Sequence, residues 1–223
     1  MPLFLTIQTT YQDIQIALCK ANVITDVVII DKMNATKQLV STLDALLNAH
    51  HCSLRDLTFI AANAGPGPFT TLRTVLANVN GLRYATNIPL VGLHGLAAFA
   101  DEHKDPQWPC SVYLFNAFAK DVYYALDYQG TVATMHYQNI YRLLDELQMH
   151  TIYPIRFLGN GATLYQNLIS ERFGSNAFIP AEAPLFCSMK HLALRSLQQW
   201  QLQQYQSSPL MPLYLKNHEV KSA

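Results

Sequence analysis

The chain opens with short runs of aliphatic and β-branched residues separated by polar turns. Three such runs, Leu3 to Ile7, Ile14 to Cys19 and Val23 to Ile30, are typical of consecutive β-strands joined by tight connections. Leucines and valines then recur at a spacing of about 3.6 residues. This spacing predicts an amphipathic helix over about 35–50, so the first segment has the order strand, strand, strand, helix.

A Gly-Pro turn follows the next predicted strand, at 58–62, and precedes a second helix predicted over about 69–84. Glycine permits backbone angles that other residues avoid, whereas proline fixes φ and lacks an N–H donor. We expect Thr70 and Thr71 to cap the helix. The residues expected to set the geometry of the turn are Gly65, Pro66, Gly67, Phe69 and Thr70. The turn lacks the Gly-Lys-Ser/Thr ending and the three-glycine spacing of phosphate-binding loops, which favours a tight connection over a phosphate site.

The same order of elements recurs after Asp105-Pro-Gln-Trp-Pro109, a segment whose two prolines cannot continue a helix. Strands are predicted at 111–115, 122–128, 131–137 and 155–159, and helices over 139–149, 162–173 and 189–205. Two lobes of βββαβα topology are typical of the actin-like, sugar-kinase-like (ASKHA, ribonuclease H-like) architecture. We therefore predict an α/β fold with an N-terminal lobe at 1–104, a linker at 105–109 and a C-terminal lobe at 110–223. The last helix could pack back on the N-terminal lobe.

Composition narrows the classes of function. Half of the residues are hydrophobic, and 15 basic residues balance 15 acidic ones, so no net charge attracts the chain to nucleic acid. The four cysteines are far apart and the histidines show no metal-ligand spacing, which predicts no metal site. The N-terminus lacks a basic signal region and no apolar run has membrane-spanning length, so we expect a cytoplasmic protein without membrane contact.

Four stretches, taken in order, resemble the TsaB (YeaZ) family of tRNA threonylcarbamoyladenosine biosynthesis proteins. Gly65-Pro-Gly-Pro-Phe-Thr-Thr-Leu-Arg73 is similar to that family's Gly-Pro-Gly-Ser-Phe-Thr-Gly-Leu-Arg loop, and Asn87 to Gly92 to the strand after it. Asn116 to Leu126 resembles a hairpin of the second lobe, and Pro212-Leu-Tyr-Leu-Lys216 the family's C-terminal end. The chain departs from the pattern at Pro68, Thr71 and Asn116, which replace a serine, a glycine and an aspartate.

One further position separates this chain from the active ATPases of the same architecture. Thr6-Ile-Gln-Thr-Thr10 occupies the place of their first phosphate loop, and Gln8 stands where they carry a carboxylate. Magnesium prefers anionic oxygen ligands, so a neutral amide predicts that phosphoryl chemistry is lost and that the protein has no catalytic residue. Two alternatives stay open: an active small-molecule kinase or ATPase of this fold, or a peptidase with Ser111 or Cys110 as nucleophile.

The resemblance implies a non-catalytic scaffold in threonylcarbamoyladenosine synthesis on ANN-decoding tRNAs. Such a subunit binds a TsaD-like protein as a heterodimer through its first two helices, or a second copy of itself as a homodimer. A TsaE-like ATPase and the tRNA are reached only through that complex. No cofactor is intrinsic, and ATP or ADP and the metal are expected on the partner subunits.

Both N-terminal helices contribute to the predicted docking surface. On the second helix, the residues that do not belong to the apolar core stripe are expected to face outward. They include two small residues four positions apart, and an arginine and a tyrosine, which are residue types enriched at protein interfaces. The alternative is that the small residues only let the helix lie close to its own sheet. The outward set is Arg73, Thr74, Ala77, Asn78, Gly81 and Tyr84, and the resemblance adds Thr36, Val40, Leu43 and Leu47 of the first helix.

Overall fold

The structure is a computed structural model that describes residues 1–132, 135–150, 154–206 and 208–215, without the side chains of Ala35 and His150. The chain divides into two compact units. The first comprises residues 1–98 together with 188–213, and the second comprises the described residues of 99–187 together with 214 and 215. In the described residues, no helix is both long and apolar enough to cross a membrane.

The described residues form strands and helices in an order that repeats. In chain order they are β1 (Leu3–Thr9), β2 (Asp13–Lys20), β3 (Val23–Asp31), α1 (Ala35–Ala49), β4 (Phe59–Gly65), α2 (Phe69–Thr86), β5 (Leu90–His94), α3 (Gly95–Glu102), β6 (Cys110–Asn116), β7 (Asp121–Tyr128), β8 (Thr131–Val132), β9 (His136–Asn139), α4 (Ile140–His150), β10 (Ile155–Leu158), α5 (Asn160–Leu164), α6 (Gln166–Phe173), β11 (Ala177–Phe178) and α7 (Met189–Gln201). Single 3₁₀ turns lie at Lys32–Asn34, Leu54–Asp56 and Gly174–Asn176.

The sheet of the first unit has the strand order β3-β2-β1-β4-β5. β1 pairs antiparallel with β2 and parallel with β4, and β4 is parallel to β5. All of β4 and nearly all of β1 are buried, because helices cover both faces of these central strands. Strands covered on both faces are expected to be rich in apolar residues, and these two are, although they also bury Thr6, Gln8, Thr9 and Asn63.

One face of the first sheet packs against α1 and α2. The apolar stripe of α1 and that of α2, which the 3.6-residue spacing predicted, enter a single core with the inward residues of β1, β2 and β4. The helix residues of this core are Leu39, Leu43, Leu46, Leu47, Leu72, Val75, Leu76 and Val79. This packing leaves the opposite sides of both helices facing outward.

The other face of the first sheet is covered by α7, which contacts β1, β2 and β5. The rings of Phe4 and Phe59 stack with centroids 4.4 Å apart, and Trp200 of α7 stacks on Phe59 at 4.8 Å. Inside the contact, the Thr6 hydroxyl donates to Ser196 Oγ (3.1 Å), which in turn donates to the Leu192 carbonyl (2.7 Å). The last helix thus belongs to the first unit, although it is distant from it along the chain.

The sheet of the second unit has the order β11-β10-β6-β7-β8, with β9 also pairing with β7. This is the order of the first sheet, with β6, β7, β10 and β11 in the places of β1, β2, β4 and β5. The predicted duplication and the α/β fold class are therefore confirmed. The turn at Gln129 and Gly130 is also as predicted, because both residues have positive φ (49° and 83°), as a two-residue hairpin requires.

Several element boundaries differ from the sequence prediction. The strand expected at 131–137 is divided into β8 and β9, with 133–134 outside the described residues. The helix expected at 162–173 is broken into α5 and α6 at Tyr165, whose φ and ψ of −105° and 20° are not helical. α7 ends at Gln201 rather than near Tyr205, and Gln203 then takes a positive φ of 57°. The two-residue strand β11 was not predicted, because it is too short to show a pattern.

Gly159 allows α5 to begin directly against β6. Its φ is +97°, and a Cβ atom at this position would lie 2.3 Å from the Leu114 carbonyl oxygen. No side chain can occupy that space unless the backbone of β6 moves. The glycine is therefore required by both its backbone angle and the closeness of its neighbour.

We expect Gly159→Ala to lower the stability of the second unit by about 3 kcal/mol or more, because it adds a backbone clash to a strained φ. Hydrogen exchange of the β6 and β10 amides at increasing urea would measure this loss. Gly174→Ala is the matched control, since Gly174 has a φ of +53° but no atom within 4 Å of the added Cβ. Its cost should be about 1–3 kcal/mol, from its backbone angles (φ 53°, ψ −128°) alone, and equal losses in the two variants would contradict the assignment of the clash.

Candidate functional site

The end of β1 carries Gln8, the residue that the sequence comparison with ATPases of this architecture predicted to stand in place of a carboxylate. Gln8 is buried, with 1% of its surface exposed. Its Nε2 donates to Gln15 Oε1 on β2 (3.4 Å) and lies 3.9 Å from the Met189 sulfur. The site therefore offers a neutral amide that is tied to its neighbours, a donor set that does not fit a magnesium ion with its bound phosphates.

Asp13, the nearest carboxylate along the chain, closes the turn between β1 and β2. Thr10 Oγ1 donates to Asp13 Oδ1 (2.8 Å) and accepts from the backbone N–H groups of Gln12 (3.1 Å) and Asp13 (3.0 Å). The carboxylate has a structural partner in its own turn, as the turn-forming preference of aspartate predicts. More widely, the described part of the chain holds no cluster of three or more His, Cys, Asp or Glu side chains placed to bind a metal ion.

The Gly-Pro turn joins β4 to α2. Gly65 has a φ of +124° and its N–H donates to Asn63 Oδ1 (2.8 Å), and the bond from Gly65 to Pro66 is cis. The prediction that Thr70 and Thr71 cap α2 is wrong. The helix already starts at Phe69, its N-cap is Pro68, and no side chain caps it, so both threonines lie inside the first turn.

A segment near the end of the chain lies against this turn and against α2. We call Leu210–Leu213 the C-terminal strap. Asn80 of α2 holds it with two hydrogen bonds: Asn80 Nδ2 donates to the Leu210 carbonyl (3.0 Å), and the Leu210 N–H donates to Asn80 Oδ1 (2.8 Å). The Leu213 N–H donates to the Ala64 carbonyl at the end of β4 (2.8 Å). The Asn80 side chain thus gives Leu210 the two backbone hydrogen bonds that a neighbouring strand would otherwise provide.

Two glycines make room for the C-terminal strap. A Cβ on Gly65 would lie 3.1 Å from the Leu213 carbonyl oxygen, and a Cβ on Gly92 would lie 3.0 Å from Leu210 Cδ2. Leu210 itself is buried in the core of the first unit. By contrast, a Cβ on Gly67 would meet only Thr9 Oγ1, at 3.7 Å, which is an ordinary contact. Of the two glycines of the turn, Gly65 is the one that the structure requires.

The outward side of α2 is open, as its sequence pattern predicted. Arg73, Ala77 and Gly81 are exposed, and Tyr84 is 90% exposed. No atom lies within 4 Å of a Cβ built on Gly81, so this glycine does not serve close packing against the protein's own sheet. The guanidinium of Arg73 lies 3.7 Å from the centre of the Phe69 ring, a stacking contact that holds the arginine along the helix.

Two polar residues at the margin of this surface bond to α2 itself. Thr74 Oγ1 donates to the Thr70 carbonyl (3.1 Å), and Asn78 Nδ2 donates to the Thr74 carbonyl (2.8 Å). Both side chains are half-buried. They shape the edge of the surface more than its centre.

On α1 only part of the predicted docking set faces outward. Thr36 is exposed and Val40 is 51% exposed. Leu43 and Leu47 are 3% and 2% exposed, and they lie in the core against the first sheet. Their burial removes them from the docking surface, because they share the apolar stripe of Leu39 and Leu46. We therefore define the α1–α2 docking face as Thr36, Val40, Arg73, Thr74, Ala77, Asn78, Gly81 and Tyr84.

The two candidate nucleophiles of the second unit are enclosed. Ser111 is 1% exposed, and its Oγ accepts a hydrogen bond from Arg156 Nε (3.1 Å). Cys110 is fully buried, and burial raises the pKa of its thiol to about 12. The thiol is therefore protonated at neutral pH, and neither group has the exposure or the adjacent base of an activated nucleophile.

Comparison with known proteins identifies the relatives of this chain. A family model for TsaD, tRNA N6-adenosine threonylcarbamoyltransferase, matches residues 30–220. The tRNA threonylcarbamoyladenosine biosynthesis protein TsaB of Bacillus subtilis (strain 168) is 27% identical over 186 residues, which are 80% of each chain. The family assignment made from the four sequence stretches is thereby confirmed.

Solved structures agree on the fold. YeaZ from Pseudomonas aeruginosa superposes with a TM-score of 0.72 at 19% identity, over 96% of this chain and all of that one. A Bacteroides thetaiotaomicron protein of unknown function, described as having an actin-like ATPase fold, superposes with a TM-score of 0.51 at 9% identity, over 88% of this chain and 95% of that one. The actin-like, ASKHA architecture predicted from the element order is confirmed by these neighbours.

We expect Asn80→Ala to release the C-terminal strap, at a cost of about 1–2 kcal/mol for the two lost hydrogen bonds. Hydrogen exchange of the backbone amides of Leu210, Met211 and Leu213 should become faster than in the unsubstituted chain. Asn78→Ala is the matched control, because its amide bonds only within α2. Equal exchange at these amides in both variants would show that Asn80 does not hold the strap.

Proposed function

This chain belongs to the TsaB/YeaZ group of the tRNA N6-adenosine threonylcarbamoyltransferase family, and on that premise we propose that it is a non-catalytic docking subunit of threonylcarbamoyladenosine synthesis in tRNA. The observation that carries this proposal is the α1–α2 docking face. This face is exposed, whereas the opposite sides of the same two helices are buried in the core. The role is to hold a catalytic partner in a productive assembly on ANN-decoding tRNAs.

The proposed occupant of the α1–α2 docking face is a pair of helices from a TsaD-like protein. Ala77 and Gly81 are one helical turn apart and bear little or no side chain, so a partner helix can approach the backbone of α2 closely. Arg73 and Tyr84, on either side of them, are of the residue types that dominate interface energetics, and Val40 adds apolar area from α1. A second copy of the chain would use the same face, so homodimer and heterodimer would compete.

The reaction chemistry is assigned to the partners. Gln8 replaces a magnesium-anchoring carboxylate, and Asp13 is engaged by Thr10, so we place ATP or ADP and the metal on the TsaD-like protein and on a TsaE-like ATPase that joins through it. The zero net charge of the chain supports a route to tRNA through the complex rather than by direct electrostatic attraction.

Gly81→Arg should weaken binding to the TsaD-like partner from the same host about 30-fold or more, because a long charged side chain would fill the space between the helices and cost about 2 kcal/mol or more. Sedimentation velocity of mixtures over a concentration series would give the dissociation constant. Ala181→Arg, at an exposed loop position of the second unit, is the matched control. Unchanged affinity of a folded Gly81→Arg variant would refute the docking assignment.

Calorimetric titration of the isolated protein with magnesium and ATP should give no magnesium-dependent binding, since Gln8 supplies no anionic ligand. The TsaD-like partner under the same conditions serves as the positive control. Tight magnesium-dependent binding to this chain would instead favour the kinase or ATPase alternative.

A further inference from the structure

An open cavity of about 430 Å³ lies in the second unit, where β7, β9 and α4 meet. This volume is within the range of sites that bind small molecules. The wall of the cavity is polar and carries charges of both signs, although the proposed function makes no use of it. The lining residues are Asp121, Tyr137, Gln138, Asn139, Arg142 and Glu146.

The elements that carry these side chains are fixed by the core of the second unit. One side of α4 is buried in that core, which leaves Arg142 and Glu146 on its exposed side. β9 pairs antiparallel with β7, and Asp121 stands opposite Asn139 in the register. Side chains opposite one another in such a pair lie on the same face of the sheet. The buried residues of α4 are Ile140, Leu143, Leu144 and Leu147.

The Glu146 carboxylate is oriented by the protein itself. Gln138 Nε2 donates to Glu146 Oε1 (2.8 Å), and the Tyr124 hydroxyl donates to Gln138 Oε1 (3.4 Å). Beside them, Asn139 Oδ1 accepts from the Tyr141 N–H (3.1 Å), which ties the end of β9 to the start of α4. The carboxylate therefore has a defined position before any ligand arrives.

Arg142 lines the same cavity without an ion-pair partner. It lies one helical turn from Glu146, a spacing at which opposite charges commonly pair on a helix. Glu146 is bonded to Gln138 instead, and none of the ion pairs among the described residues includes Arg142. Because a guanidinium presents N–H donors in a planar fork that matches a carboxylate, Arg142 is suited to an anionic group of a ligand.

The charges of the wall define the complementary ligand. Asp121 and Glu146 supply two negative charges and Arg142 supplies one positive charge, so the cavity has a net charge of about −1 at neutral pH. A ligand that matches every charge needs one anionic group and two cationic groups. A diamine would leave Arg142 unmatched, whereas a dicarboxylate or a phosphate would face two carboxylates, and like charges brought together are unfavourable.

We propose that this cavity binds a free basic α-amino acid such as lysine. The ligand carboxylate pairs with Arg142, and its α-ammonium and side-chain ammonium groups pair with Asp121 and Glu146. The methylene groups lie along the Tyr137 ring, which is 37% exposed. The site is in the second unit and the α1–α2 docking face is in the first, so the inference does not rest on the proposed function.

Titration with lysine and three analogues tests the match of charges. Cadaverine lacks the carboxylate, ε-aminocaproate lacks the α-ammonium and norleucine lacks the side-chain ammonium. Lysine should bind about tenfold more tightly than each analogue, because each loses one charge-assisted contact. Calorimetry at about 20 mM salt would measure the affinities, since salt screens exposed charges. Lysine should also shift the side-chain amide resonances of Gln138 and Asn139 in nitrogen-15 spectra.

Two variants assign the contacts, and both change exposed positions. Arg142→Gln should weaken lysine binding about tenfold but leave cadaverine binding unchanged or tighter, because only lysine has a carboxylate to lose its partner. Glu146→Gln should weaken lysine binding about tenfold or more and affect norleucine less. Arg55→Gln in the first unit and Glu182→Gln in a loop of the second unit are the matched controls, since both positions are exposed.

Two results would overturn the proposal. One is the absence of lysine binding to the unsubstituted protein at about 10 mM lysine, which would show an ordinary hydrated surface. The other is lysine binding that Arg142→Gln and Glu146→Gln change no more than the two controls do. Neither result would affect the docking assignment, which depends on Gly81 and is measured with the TsaD-like partner. Circular dichroism of each variant confirms that folded proteins are compared.

Discussion

Both faces of β1 and β4 must be shielded from water, and this requirement determines where the helices of the first unit lie. Each strand is buried along almost its whole length, so neither of its faces is left to solvent. α1 and α2 cover one face with their leucine and valine stripes, and α7 covers the other with an aromatic stack at Trp200. Once these stripes are committed inward, the opposite sides of α1 and α2 face outward.

The same constraint explains why the proposed docking surface is smaller on α1 than on α2. Leu43 and Leu47 are needed in the core, so α1 contributes mainly Thr36 and Val40. On α2 the outward residues are small at Ala77 and Gly81 and large at Arg73 and Tyr84. A partner helix could therefore approach α2 closely at Ala77 and Gly81 and contact the larger side chains on either side of them. In the proposed function this surface holds a partner, and the buried Gln8 amide supplies no charge at the end of β1.

The edges of the first sheet complete this picture. A sheet with covered faces still has two open edges, and each presents unpaired backbone groups. At the β5 edge, the C-terminal strap lies against Gly92. The strap is held by two hydrogen bonds between the Asn80 side chain and the backbone of Leu210. It fits because Gly65 and Gly92 have no side chains. At β3 the Asp26 carboxylate accepts a hydrogen bond from the Val27 N–H, and the pairing with β2 shifts register at Thr25.

The sequence by itself determined the order of the elements, the two-lobed α/β topology and the core stripes of α1 and α2, because these follow from periodicities within short segments. It also predicted that Gln8 stands where ATPases of this architecture carry a carboxylate, which is a matter of residue chemistry. Only the tertiary structure decided that Asn80 binds the C-terminal strap and that the Asp26 carboxylate lies between the Val27 N–H and His50. Each of these depends on residues that meet in space while lying far apart in the chain or on different faces of one element, and local patterns carry no information about such meetings.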